Sequence, residues 1–287
     1  CEVIHFSSLF FHPTLILLLV GLPRGIKFVF SPRGELYPAA LAKSRLQKKI
    51  YLFFLRIFAP RFVFHATNFT EANLIKKYFP NCKKIEVLPN YIPIRNLFFD
   101  IDQKKQILFL GRINEIKNIH LVLEAFSILT NKGFNVPDLL IVGSAILESE
   151  CLYFDYLKKL VSDLKLTNHI KFLGHLSGDE KFRLIQESRC LILPSKSENF
   201  GNVVLESLMM GTPVIVSKGT PWEILEDRKV GFWINSDSES IANSLYLILD
   251  MDDKSYSQMR ISAREFVISE FDISTKISKW EKFYKSL

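Results

Sequence analysis

The sequence is poor in cysteine. It holds four in 287 residues, Cys1, Cys82, Cys151 and Cys190, and none forms a C-x-x-C pair. That spacing argues against a disulfide framework or a thiolate zinc site and fits a reducing compartment. Long apolar runs are also missing. The best, Thr14–Gly21 (TLILLLVG), falls far short of the ~20 apolar residues of a spanning helix. A strand-like segment precedes it and no basic stretch does, so it does not read as a secretory leader. Methionine is scarce, and the first is Met209. No helix-turn-helix pattern, zinc-finger spacing or aromatic RNA-binding motif is present, so nothing beyond positive charge speaks for a nucleic-acid partner.

What is there is ordinary globular composition, 48% hydrophobic and 23% charged, which excludes disorder and low-complexity repeats. The length exceeds what one core usually serves, so two domains are expected. The charge is uneven. Residues 1–95 carry 14 Lys+Arg against 4 Asp+Glu, and the remainder carries 23 against 26. A basic front half calls for an anionic partner such as phosphate ligands or a membrane surface.

Short apolar runs alternate with helical patterns. Strands are expected at Val3–Phe6, Lys27–Ser31, Phe62–His65, Ile85–Leu88, Gln106–Leu110, Leu139–Val142, Ile170–Leu173, Cys190–Leu193, Pro213–Val216 and Gly231–Ile234. Such continuous runs mark buried parallel strands. Helices are expected at Ala39–Phe58, Thr70–Phe79, Ile119–Asn131, Cys151–Leu164 and Asp179–Ser188, and throughout the region after Asp237. Asn68 with Glu71 reads as a capping box. The alternation argues for an α/β fold with parallel sheets. The segment Pro89–Pro93 followed by the polar Asp100–Lys105 reads as a linker.

Two segments carry chemistry. In ILFLGRINEIKN a strand ends at Gly111, followed by Arg112 and Lys117 and a helix starting near Asn118. Ligands of open parallel sheets bind beyond the carboxyl ends of strands, and two cations there suit a diphosphate. In PSKSENFGNVVLESLMMGTPVIVS a strand ends at Pro194, a loop runs to Gly201, and a helix covers Asn202–Met210. That helix N-terminus is a ready anion site. Glu198 and Glu206 flank it, and carboxylates beside an anion site are favourable only if they bond hydroxyls, as of a sugar and a ribose.

The Glu198…Glu206 block resembles the paired-glutamate motif of the retaining group 1 (family 4) glycosyltransferases. GRINEIKN resembles their Gly-Arg…Lys donor-phosphate motif. SPRGELYPAALAKSRLQKK and HATNFTEANLI with VLPN resemble the acceptor domain of bacterial surface-polysaccharide members. The resemblance implies a GT-B fold, two Rossmann-like domains with parallel sheets facing across a cleft. Residues 1–92 would form the acceptor side, 93–270 the donor side, and 271–287 a C-terminal helix packing back toward the first domain. It implies that Arg112, Lys117 and Glu198 are catalytic, the first two neutralising the leaving diphosphate beside Gly111. Glu198 and Asn199 would meet the donor sugar, with backbone from Phe200, Gly201, Asn202 and Val203. Glu206 would bond the ribose, and Gly174, His175 and Leu176 would sit by the base.

Many members of that family place a His where this chain reads Ser31-Pro32-Arg33-Gly34. Arg33 is then the acceptor-side candidate, although its guanidinium cannot act as a base. His5, His12 and His65 read as strand-end or core histidines. Cys1 as first residue, and no glycine before Gly21, lead to the expectation that the acceptor domain is incomplete in this chain. The implied activity is transfer of a hexosyl or N-acetylhexosaminyl group from a nucleotide-sugar to a saccharide or lipid-linked hydroxyl, with retention, in envelope polysaccharide or lipopolysaccharide synthesis. No metal and no cofactor are implied. The alternative is a truncated or degenerate nucleotide-sugar-binding protein without transfer activity. A cytoplasmic, peripheral location is expected. Leu41–Phe58, with Lys43, Arg45, Lys48 and Lys49 before a Phe/Leu-rich half, suits an anionic membrane at the inner face or a solvated basic face.

Overall fold

The structure is a computed structural model that describes residues 1–42, 45–95 and 106–287, with only the backbone of Arg45. Lys43 and the polar stretch Asp100–Lys105 thus lie outside the described residues. The chain divides into two compact units. One comprises Cys1–Tyr91 with Ser274–Leu287, the other Ile92–Ile273.

The first unit is built on four parallel strands in sequential order, β1 (Val3–Phe6), β2 (Lys27–Phe30), β3 (Phe62–Ala66) and β4 (Lys84–Val87). Helices α1 (Thr14–Gly21), α2 (Pro38–Ala42), α3 (Arg45–Phe58) and α4 (Phe69–Tyr78) connect them. Right-handed crossovers between successive parallel neighbours put these helices on one face of the sheet. The alternation of side chains agrees. Phe28, Phe30, Phe62 and Phe64 point to the helices and pack with Leu18, Leu52, Leu55 and Ile75. Register aligns Phe28 with Phe62 and Phe30 with Phe64, and the Phe30–Phe62 ring centroids lie 4.7 Å apart. This is where much of the chain's phenylalanine is used; such aromatic pairs add to their area burial.

Asn68 caps α4, accepting from the Glu71 N–H at 2.9 Å. The buried Glu71 carboxylate reaches further than a capping box requires. It accepts from the Thr67 N–H and, across the sheet end, from the Gly34 N–H, each at 2.8 Å. The turn after β2 is thereby tied to the start of α4.

The second unit has six parallel strands: β5 (Gln106–Leu110), β6 (Asp138–Val142), β7 (Ile170–Gly174), β8 (Ser188–Leu193), β9 (Val214–Ser217) and β10 (Gly231–Ile234). Their order is β10-β9-β8-β5-β6-β7. Its helices are α5 (Ile119–Asn131), α6 (Glu148–Asp163), α7 (Gly178–Glu187), α8 (Asn202–Met209), α9 (Ile224–Asp227), α10 (Ser238–Leu249) and α11 (Asp253–Phe271). Helix α6 begins three residues before the expected Cys151, because Glu150 accepts from the N–H groups of Ile146 and Leu147. Ser188 opens β8 instead of closing α7. The strand order is that of a Rossmann-like sheet, in which the chain steps outward from β5 one way and then, from β8, the other.

The last helix, α12 (Ile273–Lys285), serves the first unit, covering the sheet face opposite α1–α4. Phe283 is buried with Val29, Val63 and Leu88, and Trp280 packs on the His65 ring at 4.6 Å. Beside it runs a chain of polar contacts. Tyr284 Oη lies 2.6 Å from His5 Nδ1, Ser31 Oγ lies 2.6 Å from His5 Nε2 and 2.7 Å from His65 Nδ1, and His65 Nε2 lies 2.8 Å from the Leu88 carbonyl. A carbonyl only accepts, so His65 Nε2–H donates to Leu88 and the rest follows in one direction. Ser31 donates to His65, His5 donates to Ser31, and Tyr284 donates to His5. Both imidazoles must be neutral for this arrangement, and burial pulls both pKa values down to about 4, with Arg33 adding to the effect.

A histidine whose folded pKa lies below its unfolded 6.5 binds protons more readily in the unfolded chain, so stability falls as pH falls between 6.5 and about 4. The unfolding temperature is expected to drop across that window. In the His5→Gln/His65→Gln variant it should start lower but lose most of this slope, as followed by circular dichroism. Parallel slopes in both proteins would count against the assignment.

Candidate functional site

The order of the second sheet sets β5 beside β8, with the connections after them leaving in opposite directions. A crevice at the carboxyl ends of such strands is the usual ligand site of an open α/β sheet. The chemistry-bearing residues of the sequence follow these two strands.

After β5 the loop is stitched to the end of β6. Gly111 N–H donates to the Val142 carbonyl at 3.0 Å and Ile113 N–H to the Ser144 carbonyl at 3.1 Å. A Cβ on Gly143 would lie 1.9 Å from the Gly111 carbonyl oxygen, so the two backbones touch. After a short turn, Asn118 enters α5 with φ 51°. Its buried amide donates to the Pro194 carbonyl at 3.0 Å and to Ser236 Oγ at 2.8 Å, which ties β5's loop to the ends of β8 and β10.

After β8, Lys196 N–H donates to Ile116 and Glu198 N–H to Gly219, at 2.8 and 2.9 Å. Gly219 passes so close to the carbonyls of Ser195 and Lys196 that a Cβ would sit 2.4 Å from each. Ser217 Oγ donates to the Ser195 carbonyl at 2.5 Å. This lacing brings Lys117 and Glu198 together. The Lys117 ammonium and Glu198 carboxylate form an ion pair in which both side chains are largely shielded from water, and Ser195 Oγ donates to the same Glu198 oxygen at 3.0 Å.

The loop ends at Phe200 and Gly201. The Phe200 ring turns inward against Trp222, whose indole N–H donates to the Phe200 carbonyl at 2.5 Å. Gly201, with φ 78°, is the N-cap of α8, a conformation that favours glycine. The helix dipole of α8 favours an anion in front of its N-terminus. Glu206, further along α8, pairs with Lys181 of α7 at 2.8 Å.

Arg112 is 70% exposed and lies 3.9 Å from Glu150. The N–H groups of Ile146 and Leu147, and secondarily Arg112, hold the Glu150 carboxyl below its ordinary pKa. Gly174 closes the edge strand β7, and His175 and Leu176 follow it at the same end of the sheet; Gly174's carbonyl accepts from Gly143 N–H at 2.7 Å, His175 is exposed and Leu176 is half-buried. Asn199 is half-buried in the β8–α8 loop. Arg33 belongs to the first unit, exposed at φ 47° in the turn after β2.

Sequence reasoning misses Lys181, Asn118, Ser236 and Gly219. Asn118 reads in the sequence only as a helix start; its αL position and two-way amide depend on strands far apart in the chain. Among the described residues no three His, Cys, Asp or Glu side chains converge as metal ligands. The chain holds two Asp-x-Asp triplets. Asp100–Asp102 lies outside the described residues, and in Asp250–Asp252 the Asp252 carboxylate caps α11 through Ser255.

Residues 95–266 match the family model described as glycosyl transferases group 1. An uncharacterized glycosyltransferase of Methanocaldococcus jannaschii is 33% identical over 46% of this chain and 32% of its own length. The alpha-1,3/1,6-mannosyltransferase of Dictyostelium discoideum is 28% identical over 62% of the chain and 46% of its length. The chain thus spans about a third to a half of these curated relatives. Anabaena HepE, solved in complex with UDP-glucose, superposes with TM-score 0.82 at 19% identity, over 100% of this chain and 79% of that one. Sucrose-phosphate synthase from Thermosynechococcus elongatus gives 0.80 at 18%, over 99% and 73%. These likenesses show the fold, GT-B with two Rossmann-like domains.

The two glycines at the strand ends are expected to respond differently. Gly174, at φ 71° with open space around it, should cost about 1–2 kcal/mol on change to alanine. Gly143→Ala must displace the Gly111 backbone and should cost more than ~3 kcal/mol, outside the usual range of single substitutions. Urea unfolding of both variants tests this, and equal losses would contradict the close approach.

Proposed function

The chain belongs to the group 1 glycosyl transferases, and on that premise we propose that it transfers a hexosyl or N-acetylhexosaminyl group from a nucleotide-sugar to a hydroxyl acceptor, with retention. The observation that carries this reading is the Lys117–Glu198 pair held at the β5/β8 switch point, beside the N-terminus of α8. The acceptor is a saccharide or a lipid-linked one in envelope polysaccharide or lipopolysaccharide synthesis, handled at the cytoplasmic face.

The chemistry follows from charge. Breaking the bond from the sugar C1 to the diphosphate oxygen leaves a growing negative charge on the phosphates, while the acceptor oxygen bonds C1 and its proton passes to the departing diphosphate. Lys117, Arg112 and the N–H groups of α8 neutralise that charge without a metal ion. Preorganised groups of this kind commonly accelerate such reactions more than any other single effect does.

Before the donor arrives, Lys117 is neutralised by Glu198, and Glu206 by Lys181. The diphosphate takes over as partner of Lys117, and Glu198 turns to the hydroxyls of the donor sugar. Lys117 keeps an anionic partner and the Glu198 carboxylate keeps hydrogen-bond donors, so neither shielded group is left unsatisfied, which would be strongly destabilising. Glu206 bonds the ribose hydroxyls, with Lys181 holding its carboxylate in place. Gly174, His175 and Leu176 flank the base. The protein solved with UDP-glucose shares this fold, which supports a nucleoside-diphosphate donor.

Lys117→Ala is expected to lower turnover by about 10²–10³, the effect of losing one stabilising donor. Arg112→Ala should act in the same direction but less, being more exposed. Near wild-type turnover in the double variant would overturn the assignment. Calorimetry separates the carboxylates. Glu206→Ala should weaken the free nucleoside diphosphate, whereas Glu198→Ala should spare it and weaken the intact sugar donor. Identical losses for both ligands in both variants would refute that division.

A further inference from the structure

Helix α3 is apolar on two sides. Leu52 and Leu55 are buried against the sheet of the first unit. On the opposite side Leu46, Ile50, Phe53, Phe54 and Ile57 are 72, 51, 63, 47 and 60% exposed. Their spacing, i, i+4, i+7, i+8 and i+11, makes one continuous stripe along the helix. Single exposed apolar residues are ordinary, but a contiguous stripe of this size marks an interaction surface. The first unit exposes further apolar side chains on α1. Tyr51 of α3 donates to the Phe11 carbonyl just ahead of α1, and α1 exposes Ile16 and Leu19 by about two-thirds.

The charge around the stripe has one sign. Lys49 is exposed on α3, and so is Arg56, whose Nε donates to the Tyr78 carbonyl at 2.6 Å; Arg24 donates to the Val20 carbonyl at the end of α1, and on α4 lie Lys77 and Lys76, the latter donating to the Pro80 carbonyl. Between residues 3 and 85 the only acids are Glu35 and Glu71, and both carboxylates accept backbone N–H groups. Lys48, which the sequence groups with the membrane-facing cations, instead donates inward to the Ala40 carbonyl and lies over the Phe10 ring. Lys43 and the side chain of Arg45 lie outside the described residues.

We propose that the outer face of α3, with the exposed side chains of α1, docks on an anionic lipid bilayer, with the apolar stripe entering the interfacial zone and the flanking cations meeting the headgroups. A helix with one strongly basic flank and an exposed Phe/Leu/Ile stripe lies in the plane of such an interface. No described helix is long and apolar enough to cross a membrane, so the contact is peripheral for these elements. A second copy is a poor occupant, because it would set Lys49 and Arg56 against their equivalents with no acid on that face to meet them. The surface belongs to the first unit and stands whatever the second unit binds.

The test is flotation of the full chain with phosphatidylcholine vesicles, with and without phosphatidylglycerol, at low and high salt. The comparison is the Leu46→Gln/Ile50→Gln/Phe53→Gln/Ile57→Gln variant. All four positions are exposed, so its circular dichroism and unfolding midpoint should match the parent. The parent should bind the phosphatidylglycerol vesicles and retain part of that binding at high salt. The variant should bind about tenfold or more weakly at low salt. A Phe53→Trp reporter should shift its emission to the blue on adding those vesicles and not on adding phosphatidylcholine alone. Absence of vesicle binding, or equal binding by the variant, would overturn the proposal. So would a dimer, seen by light scattering, that the variant abolishes while vesicles are ignored.

Discussion

The adjacency of β5 and β8 governs the second unit. Two parallel strands that are neighbours in space but separated by two further strands in sequence must send their following loops apart. Everything placed at the carboxyl end of the sheet depends on that divergence: the Lys117 turn on one side, and the Glu198 loop with the α8 N-terminus on the other. The loops do not drift, because Asn118 spans the gap with one amide, holding the Pro194 carbonyl and Ser236 together. A buried NH2 group that donates to both sides of a gap specifies one arrangement, since losing either acceptor leaves a desolvated N–H.

The two carboxylates of the β8–α8 segment each face a lysine, Glu198 to Lys117 and Glu206 to Lys181. Such pairs contribute little net stability where they are shielded, since desolvation offsets most of the attraction. Their value lies in keeping a charged site neutral while empty. On the proposed reading, donor binding is an exchange of partners, and its electrostatic cost is correspondingly small.

All ten expected positions hold a strand. The inner ones, such as β3, β8 and β9, are buried on both faces and read as unbroken apolar runs, whereas the outer β1, β4, β7 and β10 are only partly buried. Ends are less legible. The start of α6 depends on Glu150 folding back on Ile146 and Leu147, and the Ser188 boundary on pairing with Gln106. The site is legible where it is contiguous, in the segment from Pro194 to Glu206, and opaque where it is assembled from distant parts. Nothing adjacent to Lys181 announces Glu206, and nothing near Gly219 announces that Ser195 and Lys196 run against it. The histidines read as core or strand-end residues, but the Ser31 hydroxyl between two of them needs the register of three strands. For α3, amphipathic periodicity identifies a helix but not which part of its apolar arc the sheet covers. Only the structure shows Phe53 and Ile57 outward and Leu52 and Leu55 inward.

Helix α12 has a consequence for how the chain comes into being. The first unit is discontinuous: its sheet is made from residues before Tyr91, but one face of that sheet is covered by Trp280 and Phe283. During synthesis the ribosome delivers those rings only after all of the second unit has emerged. The second unit is contiguous and can mature alone, while Val29, Val63 and the His65 ring wait bare of their cover. Ile92 and Asp272, where the chain enters and leaves the second unit, lie side by side in a β-bridge. Maturation of that unit thus brings the ends of a long excursion, from Ile92 to Asp272, together before α12 docks, sparing most of the loop-closure entropy that the late contact would otherwise carry. Of the two units, the one whose sheet is made first is therefore the one completed second.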